Sequence, residues 1–273
     1  MIWKANCKIN IGLDVLRRRA DGYHDLETVM VPVRALCDRV EVERTTKSGC
    51  SFSQQGIEVD CPEEQNICVK AFRLMASRHG VDGVHITLDK RIPFGAGLGG
   101  GSADGTMVLL ALNELFELRL AEEELIALAA ELGSDTAFFV RNSPQLCTGR
   151  GVEMTPIELK SLNGLWLLLV KPDEGVLTRE AYAGVRPAVP ELPLRERLAE
   201  PIARWQQLIK NDFEPSVFAA HPRLAQIKEQ LLAQGARYAA MSGSGSTLFG
   251  LFDQEPSAQP FEGLFTHCER LEF

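Results

Sequence analysis

The sequence predicts an α+β protein, and three observations carry that. Apolar and polar residues alternate with a period of two through the first sixty or so positions, a helical period takes over from Asn66, and the second half returns to short apolar runs between helical stretches.

In chain order, residues 9–15 and 40–43 alternate as strands, with turn clusters at 19–22 and 45–49. From Asn66 a helical stripe forms from Ile67, Ala71, Leu74 and Met75 beside Val69 and Phe72, and Val84–Lys90 alternates again as a strand. A glycine run follows at 95–101, then a helix expected to start at Ser102 as N-cap, with Met107, Ala111 and Leu115 beside Val108 and Leu112 on its buried face. Residues 121–132 read as a second amphipathic helix closed by Gly133 in a left-handed cap. Residues 165–170 read as a buried strand that stops at Lys171-Pro172, and 186–193, with three prolines, as a loop. Two helices are expected at 194–210 and 222–234, and a second glycine cluster within 240–252 runs into an apolar strand. The expected division is into domains 1–155 and 156–273.

A chain of 273 residues, 45% hydrophobic and 24% charged, has material for a sizeable core in one large or two medium domains. Its 29 Lys+Arg against 37 Asp+Glu give a formal charge of −8, which supplies no general attraction to nucleic acid or anionic membrane. Any anionic ligand must therefore be held by local donors. The seven cysteines are scattered and never spaced as a C-x-x-C pair, which favours free thiols in a reducing compartment over a disulfide framework or a zinc site. The start, MIWKANCKIN, lacks a basic segment followed by an apolar one, and the run at 165–170 is too short to span a bilayer. A cytoplasmic protein is expected, with no nucleic-acid or membrane partner.

Pro93, Phe94, Gly95, Ala96, Gly97, Leu98, Gly99, Gly100, Gly101, Ser102 and Ala103 lie between an expected strand and an expected helix. There, backbone N–H groups and the positive end of a helix can meet a phosphate chain, and glycines remove the Cβ atoms that would hold it off. A dinucleotide-binding fingerprint would require an acidic residue at the next strand end, but Glu117 stands at the end of a helix. A Walker loop would end in G-K-[ST], and no lysine is present; a protein-kinase loop would be followed by a strand. A glycine turn that only lets a strand and a helix pack closely remains open on these residues alone.

Three segments in order resemble one family. They are Ala5-Asn6-Cys7-Lys8-Ile9-Asn10-Ile11, the run at 93–102, and Met241-Ser242-Gly243-Ser244-Gly245-Ser246. The family is that of the GHMP small-molecule kinases, which includes galactokinase, homoserine kinase, mevalonate kinase and phosphomevalonate kinase. Within it, Arg19-Ala20-Asp21-Gly22-Tyr23-His24 and Leu132-Gly133-Ser134-Asp135 with Phe138-Phe139-Val140 resemble the branch that phosphorylates a cytidine-diphosphate-linked methylerythritol in the non-mevalonate isoprenoid pathway. The similarity runs in patches from about residue 5 to 252.

The resemblance implies an N-terminal domain like domain 2 of ribosomal protein S5 and a ferredoxin-like C-terminal domain. It implies Lys8 and Asp135 as the catalytic pair, and the chemistry is consistent: a carboxylate can take the acceptor proton while an ammonium keeps it ionised and polarises the hydroxyl. It assigns the glycine run, Lys90 and Asn66 to ATP, and Mg²⁺ to the phosphates with Ser102 as nearest protein group. Tyr23, His24 and Tyr182 are expected around the cytosine, Asn10 and Thr178 near the erythritol, and Gly243, Ser244 and Gly245 along the substrate. From the residues alone, Lys8 also reads as a solvated strand lysine, Asp135 as a helix N-cap, and Tyr23-His24 as a turn.

Departures from the family pattern are Gly105 in the first turn of the helix, worth about 1 kcal/mol against alanine, the acidic Asp104 beside it, and Ser244 and Ser246 in the third motif. Two other functions stay open, a non-catalytic nucleotide and sugar sensor and a kinase of another small alcohol. Either a monomer or a homodimer is expected.

Overall fold

The computed structural model describes residues 2–59 and 61–272. β1 (Ile2–Arg18) and β2 (His24–Arg44) pair across the turn at 19–22. β3 (Cys50–Gly56), α1 (Ile67–His79), β4 (Val84–Lys90), α2 (Gly100–Leu115), α3 (Glu122–Leu132) and α4 (Thr136–Arg141) follow. The rest comprises β5 (Gln145–Thr148), β6 (Glu153–Pro156), β7 (Trp166–Lys171), α5 (Thr178–Gly184), α6 (Leu194–Ala199), α7 (Ile202–Leu208), α8 (Glu214–Ala220), α9 (Pro222–Ala233), β8 (Tyr238–Met241), β9 (Leu248–Phe252) and β10 (Phe265–Arg270).

Contacts divide the chain into two compact units at several places, where the sequence suggested one cut near 155. One unit takes residues 1–8, 32–94 and 99–143, and the other 9–31, 95–98 and 144–273. β1 and β2 thread both units, which a linear boundary cannot represent.

In the first unit β4 runs antiparallel to β2, with Val40 opposite Leu88 and Val42 opposite Ile86, and parallel to β3. The apolar face of that sheet and the buried faces of α1 (Val69, Phe72, Met75) and α2 (Met107, Val108, Ala111, Leu112) supply its core. Gly105 has a packing reason: a Cβ there would lie 2.8 Å from Ile67 Cγ1 of α1. The close approach of the two helices explains a residue that weakens α2 in isolation.

In the second unit β7, β8, β9 and β10 form an antiparallel sheet in the order β10-β7-β9-β8. Numbered within the unit this is 4-1-3-2, the ferredoxin-like order expected, although only a short 3-10 turn (Gln259–Phe261) stands between β9 and β10. Its core joins Leu168, Val170, Leu248 and Phe252 to Phe213, Leu224 and Leu231.

Three local expectations are corrected. α2 begins at Gly100, not Ser102, because Gly99 turns left-handed at φ 68° and the helix proceeds from it. Gly133 is extended at φ 176°, so it ends α3 without a left-handed cap. The helix expected over 194–210 is two, broken at Pro201, which precedes α7, while Glu200 swings to ψ 154°.

Candidate active site

β1 carries the first half of the site. Residues 5–15 are buried without interruption, so the polar positions of its alternation face protein, not water. Lys8 is 3% exposed and its Nζ stands 3.2 Å from Oδ2 of Asp135, which is 31% exposed. Asp135 directly precedes α4, yet its side chain makes no capping hydrogen bond. Its carboxylate faces Lys8 instead, and the solvated-lysine reading fails with it. The Lys8 side chain passes under Gly99, where a Cβ would sit 3.0 Å from Lys8 Cε.

Gly99 therefore does two things: it supplies the left-handed turn into α2, and it leaves room for the lysine. Gly100, Gly101 and Ser102 form the first helical turn with no side-chain cap. That leaves their N–H groups bare at the positive end of a 16-residue helix, the arrangement that suits a phosphate.

Two supports were missed by sequence reasoning. Thr106, fully buried, donates its hydroxyl to the carbonyls of Ser102 (2.9 Å) and Thr136 (2.8 Å), tying α2 to α4. Asn6 on β1 and Asn142 after α4 exchange side-chain amide hydrogen bonds of 3.1 and 2.6 Å. A buried Asn in a strand was the available signal. Asn66, expected near adenine, is buried and caps α1 by accepting the Cys68 N–H at 2.9 Å. Lys90, expected beside it, is buried with its ammonium held by Asp38 and Asp104. Of the run itself, Pro93 is half-buried and Phe94 exposed, and Ala103 is buried in α2.

In the second unit Ala96 and Leu98 point inward and Gly97 lies against the third motif. At φ 75°, a Cβ on Gly97 would lie 2.0 Å from the Ser242 carbonyl oxygen, so only glycine fits. Ser242 Oγ donates to the Gly97 carbonyl (2.9 Å) and accepts the Asn10 N–H (3.2 Å), while Thr247 N–H reaches the Ala96 carbonyl (3.2 Å). Asn10 is buried, donates to Thr28 Oγ1 at 3.1 Å, and keeps its amide oxygen 3.3 Å from where a Cβ on Gly243 would be. Asn211, also missed, donates to the Met241 and Gly243 carbonyls at 2.8 Å each. Thr178 Oγ1 and Ser244 Oγ are 3.2 Å apart, and Gly245 turns at φ 89°.

Of the three aromatic residues expected around the cytosine, two sit against each other and the third lies under an arginine. His24 stacks on Tyr182, centroids 5.0 Å apart and planes at 22°, and Tyr182 packs edge-on to Phe213 at 4.8 Å. Tyr23 lies under the Arg150 guanidinium, 3.7 Å from its ring centre. A base between two rings needs about 7 Å, twice an ordinary carbon contact, so the His24–Tyr182 pair is closed. The turn beneath is well fixed. The Tyr23 N–H donated to Asp21 at 3.1 Å, assisted by Arg19, holds the Asp21 carboxyl below its usual range, and Arg19 and then Arg17 do the same for Asp25.

Two family models match the chain, GHMP kinases N terminal domain over residues 66–143 and GHMP kinases C terminal over 191–262. The 4-diphosphocytidyl-2-C-methyl-D-erythritol kinase of Parabacteroides distasonis is 45% identical over 270 residues, covering 98% of this chain and 97% of its own. That of Bacteroides thetaiotaomicron is 46% identical over 257 residues, covering 93% of each. A crystal structure of 4-(cytidine 5'-diphospho)-2C-methyl-D-erythritol kinase superposes with a TM-score of 0.77 at 37% identity, covering 92% of this chain and 90% of that one. With both halves matched and relatives aligned almost end to end, the chain belongs to the GHMP kinase family.

Proposed function

We propose that the protein transfers the γ-phosphoryl group of Mg-ATP to the 2-hydroxyl of 4-diphosphocytidyl-2-C-methyl-D-erythritol, giving the 2-phosphate and ADP in isoprenoid precursor synthesis. The observation that carries this is the Lys8–Asp135 pair, 3.2 Å apart, with Lys8 running under the glycine that opens α2. The acceptor hydroxyl gives its proton to the Asp135 carboxylate as its oxygen bonds to the γ-phosphorus, and the bond to the β-phosphate oxygen breaks with its electron pair leaving on ADP. Lys8 steadies the ionised Asp135 and the nucleophile. The bare N–H groups of Gly100, Gly101 and Ser102 receive phosphate oxygens without reorganising.

Ser102 and Asp135 are oxygen donors, the class that Mg²⁺ takes, and among the described residues no cluster of three His, Cys, Asp or Glu could hold a metal. Mg²⁺ bound to the nucleotide would supply positive charge to the phosphates, with Ser102 and Asp135 the oxygen donors present to face it. Tyr23, His24 and Tyr182 take the cytosine, and Asn10, Thr178 and the turn Gly243, Ser244, Gly245 the sugar alcohol. We place the reaction in the cytoplasm; no helix among the described residues is long and apolar enough to cross a membrane, and none of the seven cysteines is in a disulfide.

The test is ADP release from Mg-ATP with a panel of alcohols. ADP is expected with the cytidine-linked substrate and not with homoserine or mevalonate, and Asp135→Ala removes it. No ADP with any of the three, or equal rates with homoserine, would overturn the assignment.

A further inference from the structure

Asp38, Lys90 and Asp104 form a charge cluster that the proposed reaction does not use. Asp38 on β2, Lys90 at the end of β4 and Asp104 on α2 are 0%, 2% and 1% exposed. Lys90 Nζ bonds Asp38 Oδ2 and lies 3.0 Å from Asp104 Oδ2. The other Asp38 oxygen accepts the N–H groups of Arg91 (2.5 Å) and Ile92 (2.8 Å), whereas Asp104 Oδ1 has no donor. The cluster touches the phosphate turn, since a Cβ on Gly100 would lie 3.0 Å from Lys90 Nζ and 2.8 Å from Ile92 Cγ2.

Two carboxylates and one ammonium, all ionised, would bury a net negative charge directly under the turn meant for a triphosphate. The donors are distributed unequally. Asp38 has two backbone N–H groups and the ammonium, while Asp104 shares the ammonium only. Burial first, and the neighbouring Asp38 carboxylate with it, pushes the Asp104 carboxyl well up. Among the described residues, the other titratable group beside the cluster is Cys68 on α1, a buried thiol also held up by burial, so it adds no charge.

We propose that Asp104 carries a proton, and that Asp38, Lys90 and protonated Asp104 together form an electrically neutral floor that positions the first turn of α2 for the nucleotide phosphates. The proposal rests on the nucleotide reading of the glycine run. Asp104 and Asp38 are positioning residues: neither touches the reacting atoms. Asp104→Asn preserves the shape of the protonated acid, with its NH₂ facing Asp38 and its oxygen facing Lys90.

The experiment measures the dissociation constant of Mg-ATP for the full chain by titration calorimetry from about pH 6 to about pH 9.5, a span wide enough to ionise a strongly raised carboxyl. Taking each variant against wild type cancels the ionisation of the nucleotide itself. At the acid end Asp104→Asn matches wild type. Toward the alkaline end wild type weakens by on the order of ten-fold relative to Asp104→Asn, as a charge appears in a low-dielectric site. An infrared carbonyl band of a protonated acid is present in wild type and missing from Asp104→Asn. Parallel affinity profiles, or absence of that band, would overturn the proposal. Wild type that shows the band but binds no Mg-ATP would instead overturn the nucleotide reading, and this role for the cluster with it.

Discussion

Asn6 and Asn142 exchange two amide hydrogen bonds, and this reciprocal pair joins the strand that carries Lys8 to the end of the helix that Asp135 begins. Lys8 is two residues from Asn6, and Asp135 one helix length from Asn142. The amide pair therefore sets the ion pair's spacing from outside it. Asn6→Ala is expected to lower kcat about ten-fold, equivalent to about 1.4 kcal/mol in the barrier, with little change in either KM. Steady-state kinetics against both substrates checks this, and a proportional rise in the KM for ATP would contradict it. Loss of the buried hydrogen bonds costs about 1–3 kcal/mol of stability, readable as a lower denaturation midpoint.

Asp135→Asn keeps the size of the side chain and removes the proposed base. A loss of about a hundred- to ten-thousand-fold in kcat is expected, while Mg-ATP affinity by calorimetry stays close to wild type. Lys8→Met removes the ammonium and leaves the Asp135 carboxylate without its partner, so turnover should fall comparably. The double variant should fall little further than the worse single one, because the two residues act as a unit.

Gly97→Ala places a methyl 2.0 Å from the Ser242 carbonyl oxygen at a residue with φ 75°. Both the contact and the conformation resist it, and a loss of more than about 1 kcal/mol is expected. Ser242→Ala tests the same junction gently by deleting the hydroxyl between Gly97 and Asn10. It should raise the KM for ATP several-fold while shifting Tm by only a few degrees, about 1 kcal/mol.

The closed His24–Tyr182 stack must open, or offer an outer face, when a base arrives. Tyr182→Ala removes the aromatic partner and is expected to raise the KM for the cytidine-linked substrate by about two- to ten-fold, the equivalent of about 0.5–1.5 kcal/mol of ring stacking. The KM for ATP should not move. If the stack opens, stopped-flow mixing of wild type with CDP should show a unimolecular step that is missing from Tyr182→Ala, because the variant has no stack to separate.

Much of the site was legible because its chemistry leaves unusual residues in ordinary patterns. A glycine run before a helix suggests a phosphate site, but Lys8 in its strand is singled out only by the resemblance to the GHMP kinases. The boundaries were legible where one residue dominates locally, as Asn66 does at α1, and illegible where several compete, as glycines 99–101 do at the start of α2. Asn211 and Thr106, which act through a distant partner, gave no signal. Asn211 reaches across 30 positions to Met241, and Thr106 spans the same number to Thr136. The partners of Lys90 were not legible, because a buried lysine and a ligand lysine look alike in a sequence until the carboxylates of Asp38 and Asp104 come beside it.

The unbroken burial of β1 from residue 5 to 15 has a consequence for how the chain finds its fold. In an ordinary half-exposed strand, a slip of one residue merely turns greasy side chains to water. Here a slip that drove Lys8 and Asn10 into the positions shaped for Ile9 and Ile11 would set Cys7 where Lys8 meets Asp135 and Ile9 where Asn10 meets Ser242. Unpaired, the lysine would lose several kcal/mol of solvation. The residues assigned here to the reaction thus also proofread the register of the strand that carries them, and a protein folded out of register would be unstable before it could be inactive.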